Sequence, residues 1–259
     1  MATEACRPIL AFVLDWETGG LLCSECGVTQ ISVHAVRLDN FDCMGKFMRY
    51  ILPYTRRTDK GKVKVKKTLK NKYDDGTTDT LMTYTQAALD VQGITMDILK
   101  QKGIALDDMV EQLLEWIDEM MANADTTKGN FPILVGQNIA FDEGFLSQVM
   151  EYTGKTEEFK KRLRGKDDFW GNWHPTMLDT IVLGQLALSH NPEVSSYKLE
   201  LLCEFLGIDL VDAHDADADV EATADVMRVL GNRMRAEDGN LSGSEQRKQD
   251  QKTRKHFKI

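Results

Sequence analysis

The sequence predicts one α/β domain with a mixed central sheet, whose first three strands are antiparallel and whose faces are covered by helices. Short apolar runs of strand length come first, and segments with helical spacing then alternate with short strands. That order is typical of α/β architecture. The 259 residues show no internal linker, and this length suits one large domain.

Four segments are predicted as strands. Ile9–Leu14 is a continuous apolar run, which is typical of a strand buried on both faces. Val28–Leu38 alternates in part, and Gly45–Leu52 ends before Pro53, which cannot continue a central strand. Phe131–Val135 is a further short apolar run after the first long helix.

Five segments are predicted as helices. Leu106–Met121 places its apolar residues at intervals of three and four, so one face of this helix is apolar. The other four predicted helices are Ile139–Tyr152, Leu178–Leu188, Tyr197–Leu206 and Ala216–Met234.

The composition excludes some classes of protein. The longest apolar run, Ile9–Leu14, has six residues, whereas a membrane-spanning helix needs about 20. The first residues lack the basic and apolar regions of a secretory signal. Five cysteines are too few for a disulfide scaffold of this length. We therefore expect a cytoplasmic protein without a membrane partner.

The charge is distributed unevenly. The whole chain carries −9, which by itself argues against a nucleic-acid partner. Between Arg56 and Lys72, however, nine basic residues and one acidic residue give +8, which leaves −17 on the other 242 residues. We interpret residues 54–80 as a basic insertion in a domain spanning residues 1–236, and residues 237–259 as a polar basic tail. The insertion either contacts phosphates or is simply solvated.

Two acidic residues end the first predicted strand. Asp15 and Glu17 are two positions apart, so their side chains point to the same side of a strand. Neighbouring carboxylates repel each other unless a cation neutralises them. A cation site is therefore one interpretation, and ordinary loop chemistry is the other.

Two further acidic residues begin predicted helices. Asp142 lies four residues after Asn138, and Asp219 lies five residues after His214. Each carboxylate alone also fits the general preference of acidic residues for helix N-termini. In α/β folds, however, ligands gather at one edge of the sheet, where strands end and helices begin. Together with Asp15 and Glu17, these residues predict a shared site.

Three motifs carry a resemblance to a known family. Residues 15–18 read Asp-x-Glu-Thr, residues 138–142 read Asn-x-x-x-Asp, and residues 214–219 read His-x-Ala-x-x-Asp. In this order they resemble the DEDD 3′–5′ exonucleases, in the branch that has a histidine. The resemblance runs from about Ile9 to Leu230 and implies a ribonuclease-H-like fold.

The resemblance also implies a metal site with two divalent ions, Mg²⁺ or Mn²⁺. Such ions prefer oxygen ligands and can stabilise the attacking and the leaving oxygen of a phosphodiester. By resemblance, Asp15 bridges both ions, Glu17 and Asp219 hold the ion that carries the attacking water, and Asp142 supports the other. Glu17 is thus also a catalytic residue. His214 is the implied general base, a task that suits imidazole near neutral pH.

The same resemblance implies residues that hold the 3′-terminal nucleotide. Leu21 and Phe141 would contact its base or sugar, although core packing explains either residue equally well. The full implied set is Thr18, Gly19, Leu21, Asn138 and Phe141. The sequence departs from many relatives at two substrate-side positions, where glutamine replaces histidine: Gln92 and Gln137.

The predicted function is metal-dependent 3′–5′ exonuclease activity that releases nucleoside 5′-monophosphates from single-stranded 3′ ends. DNA is favoured over RNA as the substrate, and a polymerase or replication protein is a candidate partner. One alternative is an RNA 3′-end trimming enzyme of the RNase T type. The other is a nucleic-acid- or polymerase-binding module without hydrolytic activity.

Two weaker patterns have competing interpretations. Cys23 and Cys26 could form half of a zinc site, but loop thiols are the simpler interpretation. Trp170 and Trp173 could stack on bases, but tryptophan commonly packs against a core.

Overall fold

The computed structural model describes residues 9–57, 80–124, 130–210 and 214–235. These ranges contain the strands β1 (Leu10–Thr18), β2 (Val28–Arg37), β3 (Cys43–Tyr50), β4 (Ile133–Gly136), β5 (Gly165–Asp167), β6 (Trp173–Pro175) and β7 (Met177–Asp179). They contain the helices α1 (Gln86–Gln92), α2 (Met96–Lys102), α3 (Leu106–Asn123), α4 (Ile139–Thr153), α5 (Thr156–Lys160), α6 (Thr180–Leu188), α7 (Leu199–Leu206) and α8 (Ala216–Arg235).

A five-stranded sheet has the order β3-β2-β1-β4-β7, and β5 pairs separately with β6. The β1–β2 and β2–β3 pairs are antiparallel, whereas β1–β4 and β4–β7 are parallel. The predicted mixed sheet with three antiparallel strands first is therefore confirmed.

The sheet separates two apolar layers. Phe12 and Leu14 of β1 belong to the layer that includes α3 and α4. Ala11 and Val13 belong to the opposite layer, which includes α6, α7 and α8. Successive side chains of a strand point to opposite faces, so burial on both faces explains the continuous apolar run of β1.

Some predicted boundaries are wrong. β1 continues beyond Leu14 to Thr18, so Asp15 and Glu17 lie within the strand. The segment predicted as a helix from Leu178 begins as strand β7, because Asp179 stays extended and its side chain caps α6 by accepting a hydrogen bond from Ile181 N. The sequence does not predict the short helices α1, α2 and α5 or the short β5–β6 hairpin.

Most of the predicted basic insertion and the predicted C-terminal tail lie outside the described residues. Arg57, at the start of the insertion, is described and forms an ion pair with Asp107 of α3. It also donates a hydrogen bond to the backbone oxygen of Tyr152. In the described ranges, no helix combines the length and apolarity needed to cross a bilayer.

Candidate active site at the sheet edge

Three carboxylates meet where β1 approaches the start of α8. Asp15 and Glu17 of β1 and Asp219 of α8 each offer an oxygen, and these oxygens lie within 4.8 Å of one another. All three side chains are partly buried. An all-carboxylate group suits a hard cation such as Mg²⁺ or Mn²⁺.

Asp142 approaches the same strand from α4. Its side chain is 2% exposed, and Oδ1 accepts a hydrogen bond from Trp16 N at 3.0 Å. The carboxylate is therefore fixed against the backbone between Asp15 and Glu17. Asp142 lies beside the group of three rather than within it. The four acidic residues predicted from sequence thus converge on one segment of β1.

Burial and mutual repulsion make this group costly to ionise. Burial, followed by the charge of Asp219, raises the pKa of Asp15 to about 7. Burial and the charge of Asp15 raise the pKa of Glu17 to about 9. Burial also raises the pKa of Asp142 well above its ordinary value, although the Trp16 N–H partly offsets this effect. A bound cation would favour the ionised forms, so the electrostatics fit a metal site.

The pKa of Asp219 is also raised. Burial raises its pKa, and the backbone N–H of His214 partly offsets that rise by donating to Asp219 Oδ2 at 3.3 Å. The sequence spacing of five residues thus has a local explanation, since His214 and Asp219 close one loop at the start of α8.

His214 has an exposed side chain and a left-handed backbone, with φ of 73°. A non-glycine residue in this region is uncommon, and such strain clusters at functional sites. Asn138, the N-cap residue of α4, shows the same feature with φ of 57°. Two of the motif residues thus mark sharp turns into the helices that carry Asp219 and Asp142.

A row of buried polar side chains on β2 fixes α8 against the sheet. Gln30, Ser32 and His34 alternate along β2 and are each at most 2% exposed. Gln30 Nε2 donates to Asp215 Oδ2 at 3.4 Å, and Ser32 Oγ donates to Asp217 Oδ1 at 2.9 Å. His34 Nε2 lies 2.8 Å from the same Asp217 oxygen. These contacts set the register of α8, and hence the position of Asp219 relative to β1.

The His34–Asp217 contact is a hydrogen bond between a neutral ring and a carboxylate. Burial lowers the pKa of His34. Although partial burial opposes ionisation of Asp217, hydrogen bonds from His34 and Ser32 hold its pKa below the usual value. We therefore assign the proton of the neutral imidazole to Nε2. Sequence reasoning missed this row, although polar residues at positions i, i+2 and i+4 of a buried strand are a recognisable signal.

Asp215 caps α8. Its Oδ1 accepts hydrogen bonds from the backbone of Asp217 at 3.0 Å and of Ala218 at 3.3 Å. Its charge contributes to the raised pKa values of Asp15 and Glu17. Asp215 is thus a structural cap that also belongs to the electrostatics of the site.

The last residue of β1 and the loop after it carry three of the predicted nucleotide-binding residues. Thr18 is buried, and its hydroxyl donates to Gly20 O at 2.8 Å. A Cβ atom on Gly19 would collide with the carbonyl oxygen of Thr83, so only glycine fits there. Leu21 is 83% exposed, so the structure does not place it in the core, and this side chain is accessible to a ligand.

The other two predicted nucleotide-binding residues lie at the start of α4. Asn138 is exposed, and its backbone N–H donates to Asp179 Oδ1 at 3.1 Å. Phe141 is partly buried and packs on Phe145, with ring centroids 5.1 Å apart. Asp179 thus orients the N-termini of both α4 and α6, a role that sequence reasoning missed.

Both glutamines that depart from the family pattern connect neighbouring segments. Gln92 donates to Thr18 O at 2.6 Å and accepts from Thr29 Oγ1 at 2.9 Å. Gln137 donates to Tyr197 O at 2.8 Å and accepts from Thr180 Oγ1 at 2.5 Å. An amide can donate and accept at once, which explains why glutamine suits both positions.

The structure also shows where the cysteine pair and the two tryptophans of the weaker sequence patterns lie. Cys23 and Cys26 are free thiols in the loop after β1, and no cluster of three metal-ligating side chains in the described ranges includes either of them. Trp173 is partly buried and packs against the core, whereas Trp170 is 82% exposed.

Comparison with known proteins finds similar sequences among bacterial DNA polymerases. The chain is 30% identical over 149 residues to the PolC-type DNA polymerase III of Oceanobacillus iheyensis. The matched segment covers 58% of this chain and 8% of that polymerase. It is 31% identical over 121 residues to the Clostridium perfringens PolC-type enzyme, covering 47% and 7% respectively. The chain thus spans less than a tenth of these relatives. No family model matches it.

Solved structures with the same fold are bacterial exonuclease I enzymes. E. coli exonuclease I in complex with a dT13 oligonucleotide superimposes with a TM-score of 0.61 at 18% identity, covering 91% of this chain and 44% of that one. The exonuclease I of Methylocaldum szegediense gives a TM-score of 0.58 at 18% identity, covering 88% and 41%. The ribonuclease-H-like fold predicted from the sequence is therefore confirmed.

Proposed function

We propose that the chain is a metal-dependent 3′–5′ exonuclease that releases nucleoside 5′-monophosphates from single-stranded 3′ ends, with DNA preferred over RNA. The observation that carries this proposal is the convergence of Asp15, Glu17 and Asp219 within 4.8 Å, with buried Asp142 fixed against the same strand. The exonuclease motifs, the fold and the similarity to PolC-type polymerases support it.

Asp15, Glu17, Asp142 and Asp219 would hold two divalent ions, Mg²⁺ or Mn²⁺, and an all-carboxylate donor set suits such hard cations. When bound, such ions neutralise the charge that develops on the attacking and leaving oxygens of a phosphodiester. Bound cations would in turn favour the ionised carboxylates, since burial and neighbouring charges raise the pKa of Asp15 to about 7 and that of Glu17 to about 9.

The remaining predicted residues orient the substrate and move the proton. His214 accepts a proton from the attacking water, and its exposed side chain leaves it open to solvent and substrate. Leu21 and Phe141 contact the terminal base or sugar, and this kind of contact needs no particular sequence. Thr18, Gly19 and Asn138 line the turns that surround the terminal nucleotide.

DNA is the preferred substrate and a polymerase or other replication protein is the proposed partner. The similarity to PolC-type polymerases supports both statements. E. coli exonuclease I, which shares the fold, was solved in complex with the single-stranded oligonucleotide dT13, and this supports a DNA substrate. Cytoplasmic localisation belongs to the same proposal.

The test compares Asp15→Ala with Glu115→Gln, which removes an exposed carboxylate from α3 on another part of the surface. Labelled single-stranded DNA and RNA are incubated with each protein in Mg²⁺ and in EDTA. We expect Mg²⁺-dependent shortening by the wild type and by Glu115→Gln, none by a folded Asp15→Ala variant, and faster digestion of DNA. Full activity in Asp15→Ala would refute the metal assignment, and faster digestion of RNA would refute the substrate preference.

A further inference from the structure

Two aromatic side chains project from the tip of the β5–β6 hairpin. Phe169 is 92% exposed and Trp170 is 82% exposed. Their ring centroids lie 5.1 Å apart in an edge-to-face arrangement at 86°. Exposing large aromatic rings to water costs free energy, and exposed apolar patches commonly mark interaction sites.

The tip is held in one conformation by Asp168. The Asp168 carboxylate accepts hydrogen bonds from Trp170 N and Asn172 N, both at 2.8 Å, and from Asn172 Nδ2 at 3.0 Å. Gly171 supplies the left-handed residue that the turn needs, with φ of 82°. The exposure of the two rings is therefore built into the hairpin, and the charge of Asp168 is directed into the turn.

The hairpin contacts the segment before β4 and the N-terminal half of α4. The base of the hairpin lies beside the residue that precedes β4, because Arg164 N donates a hydrogen bond to Pro132 O at 3.0 Å. Further along, His174 Nδ1 lies 2.7 Å from Oε1 of Glu143, which lies just after the first turn of α4. Glu143 directly follows Asp142, so the hairpin contacts the helix residue next to one of the site carboxylates.

We propose that Phe169 and Trp170 form a stacking site for bases of single-stranded nucleic acid, 5′ of the nucleotide held at the carboxylate site. This inference rests on the proposed function, because the carboxylate site fixes where the strand ends. The His174–Glu143 contact brings the hairpin beside the helix that carries Asp142, and this is why we assign the tip to bases 5′ of the terminal nucleotide. Two rings at 86° offer separate faces, and stacking tolerates any base because every base has a π-face.

The charges of the hairpin also fit a nucleic-acid strand. Arg164 and Lys166 are exposed cations in and next to β5, two positions apart. Cations beside a stacking platform contact the phosphates between stacked bases. Asp167 lies within 3.7 Å of the Lys160 ammonium, so its charge is partly neutralised.

The experiment measures binding of fluorescent single-stranded DNA of 2 and 12 nucleotides in EDTA, which separates binding from hydrolysis. The test protein is Phe169→Ala/Trp170→Ala. The control is Leu186→Ala/Met234→Ala, which truncates two exposed apolar residues on α6 and α8, in the layer opposite α4. Trp170→Phe serves as a conservative variant that keeps a ring at the tip.

We expect the test variant to bind the 12-mer at least fivefold more weakly than the wild type, the lower end of what one stacked base contributes. Binding of the 2-mer and the 12-mer affinity of the control and of Trp170→Phe should change less than twofold. Unchanged 12-mer binding by the test variant would overturn the stacking site, as would an equal loss for both lengths.

The same samples in Mg²⁺ separate the two proposals. A wild type that binds the 12-mer through the tip but does not hydrolyse it would refute the exonuclease function and leave the stacking site standing. A wild type that hydrolyses DNA while the tip variant keeps full 12-mer affinity would refute only the stacking site.

Discussion

Replacing Asp15 by asparagine should stabilise the metal-free protein at pH 8. The substitution keeps the side-chain shape and removes one charge from a group whose oxygens lie within 4.8 Å of one another. Without a cation, ionised Asp15 is opposed first by its own burial and then by Asp219. Asparagine avoids this cost, because it stays neutral at every pH.

The magnitude follows from the pKa of Asp15, which rises from an ordinary value of 3.8 to about 7 in the folded protein. That difference in pKa corresponds to a loss of at most about 4 kcal/mol in the free energy of unfolding of the wild type above pH 7. Contact with solvent reduces the effect to about 1–2 kcal/mol. In a domain of this size, we expect an increase in Tm of roughly 3–6 °C.

The sign depends on pH. A carboxyl whose pKa is raised by folding leaves stability intact below about pH 4, and the stability falls as the pH rises through about 7. The advantage of Asp15→Asn should therefore be largest at pH 8, smaller at pH 5 and absent near pH 4. Mg²⁺ should reverse the order at pH 8, because only the wild type keeps its full ligand set.

The assay is thermal unfolding in EDTA and in Mg²⁺ at pH 5 and pH 8, with Glu115→Gln as the control. At a Mg²⁺ concentration 100 times its Kd, the wild type should gain about 2.7 kcal/mol, and Asp15→Asn should gain little. A variant that is less stable than the wild type in EDTA at pH 8, or that gains as much from Mg²⁺, would refute the reasoning.

Three further substitutions test other parts of the site. His214→Ala should lower kcat by a factor of about 10²–10⁴, whereas a Mn²⁺ titration should show nearly unchanged metal affinity. An equal loss of kcat and metal affinity would contradict the role of His214 as a general base. His34→Phe removes the hydrogen-bond donor to Asp217 and disturbs α8, so it should lower the free energy of unfolding in urea by about 1–3 kcal/mol and weaken Mn²⁺ binding. Unchanged metal affinity would show that the row of Gln30, Ser32 and His34 on β2 does not position Asp219. Gly19→Ala should lower the free energy of unfolding by about 1–3 kcal/mol, because its Cβ would meet the Thr83 carbonyl, and an unchanged urea midpoint would contradict that close approach.

The sequence predicts the long elements well because their patterns are strong. β1 is an apolar run buried on both faces, and α3 has a single apolar face, so each pattern has one simple explanation. The sequence also predicts one shared site for the four acidic residues, because strand ends and helix starts of an α/β fold meet at one edge of the sheet. Their shared position near β1 is a consequence of topology.

The rest depends on contacts that a linear pattern does not contain. Gln92 and Gln137 look like simple departures from a motif, yet each bridges two segments distant in sequence. The β5–β6 hairpin has strands of three residues, too short for a period to be recognised. Trp170 and Trp173 lie three positions apart, and only the fold shows that one is exposed and the other packed inward.

The most direct measurement of the central claim is product analysis of a 5′-labelled single-stranded DNA digested in Mg²⁺. We predict a ladder that shortens from the 3′ end one nucleotide at a time, with nucleoside 5′-monophosphates as the released product and no cleavage in EDTA. Internal cleavage, release of 3′-monophosphates, or digestion that persists in EDTA would contradict a metal-dependent 3′–5′ exonuclease.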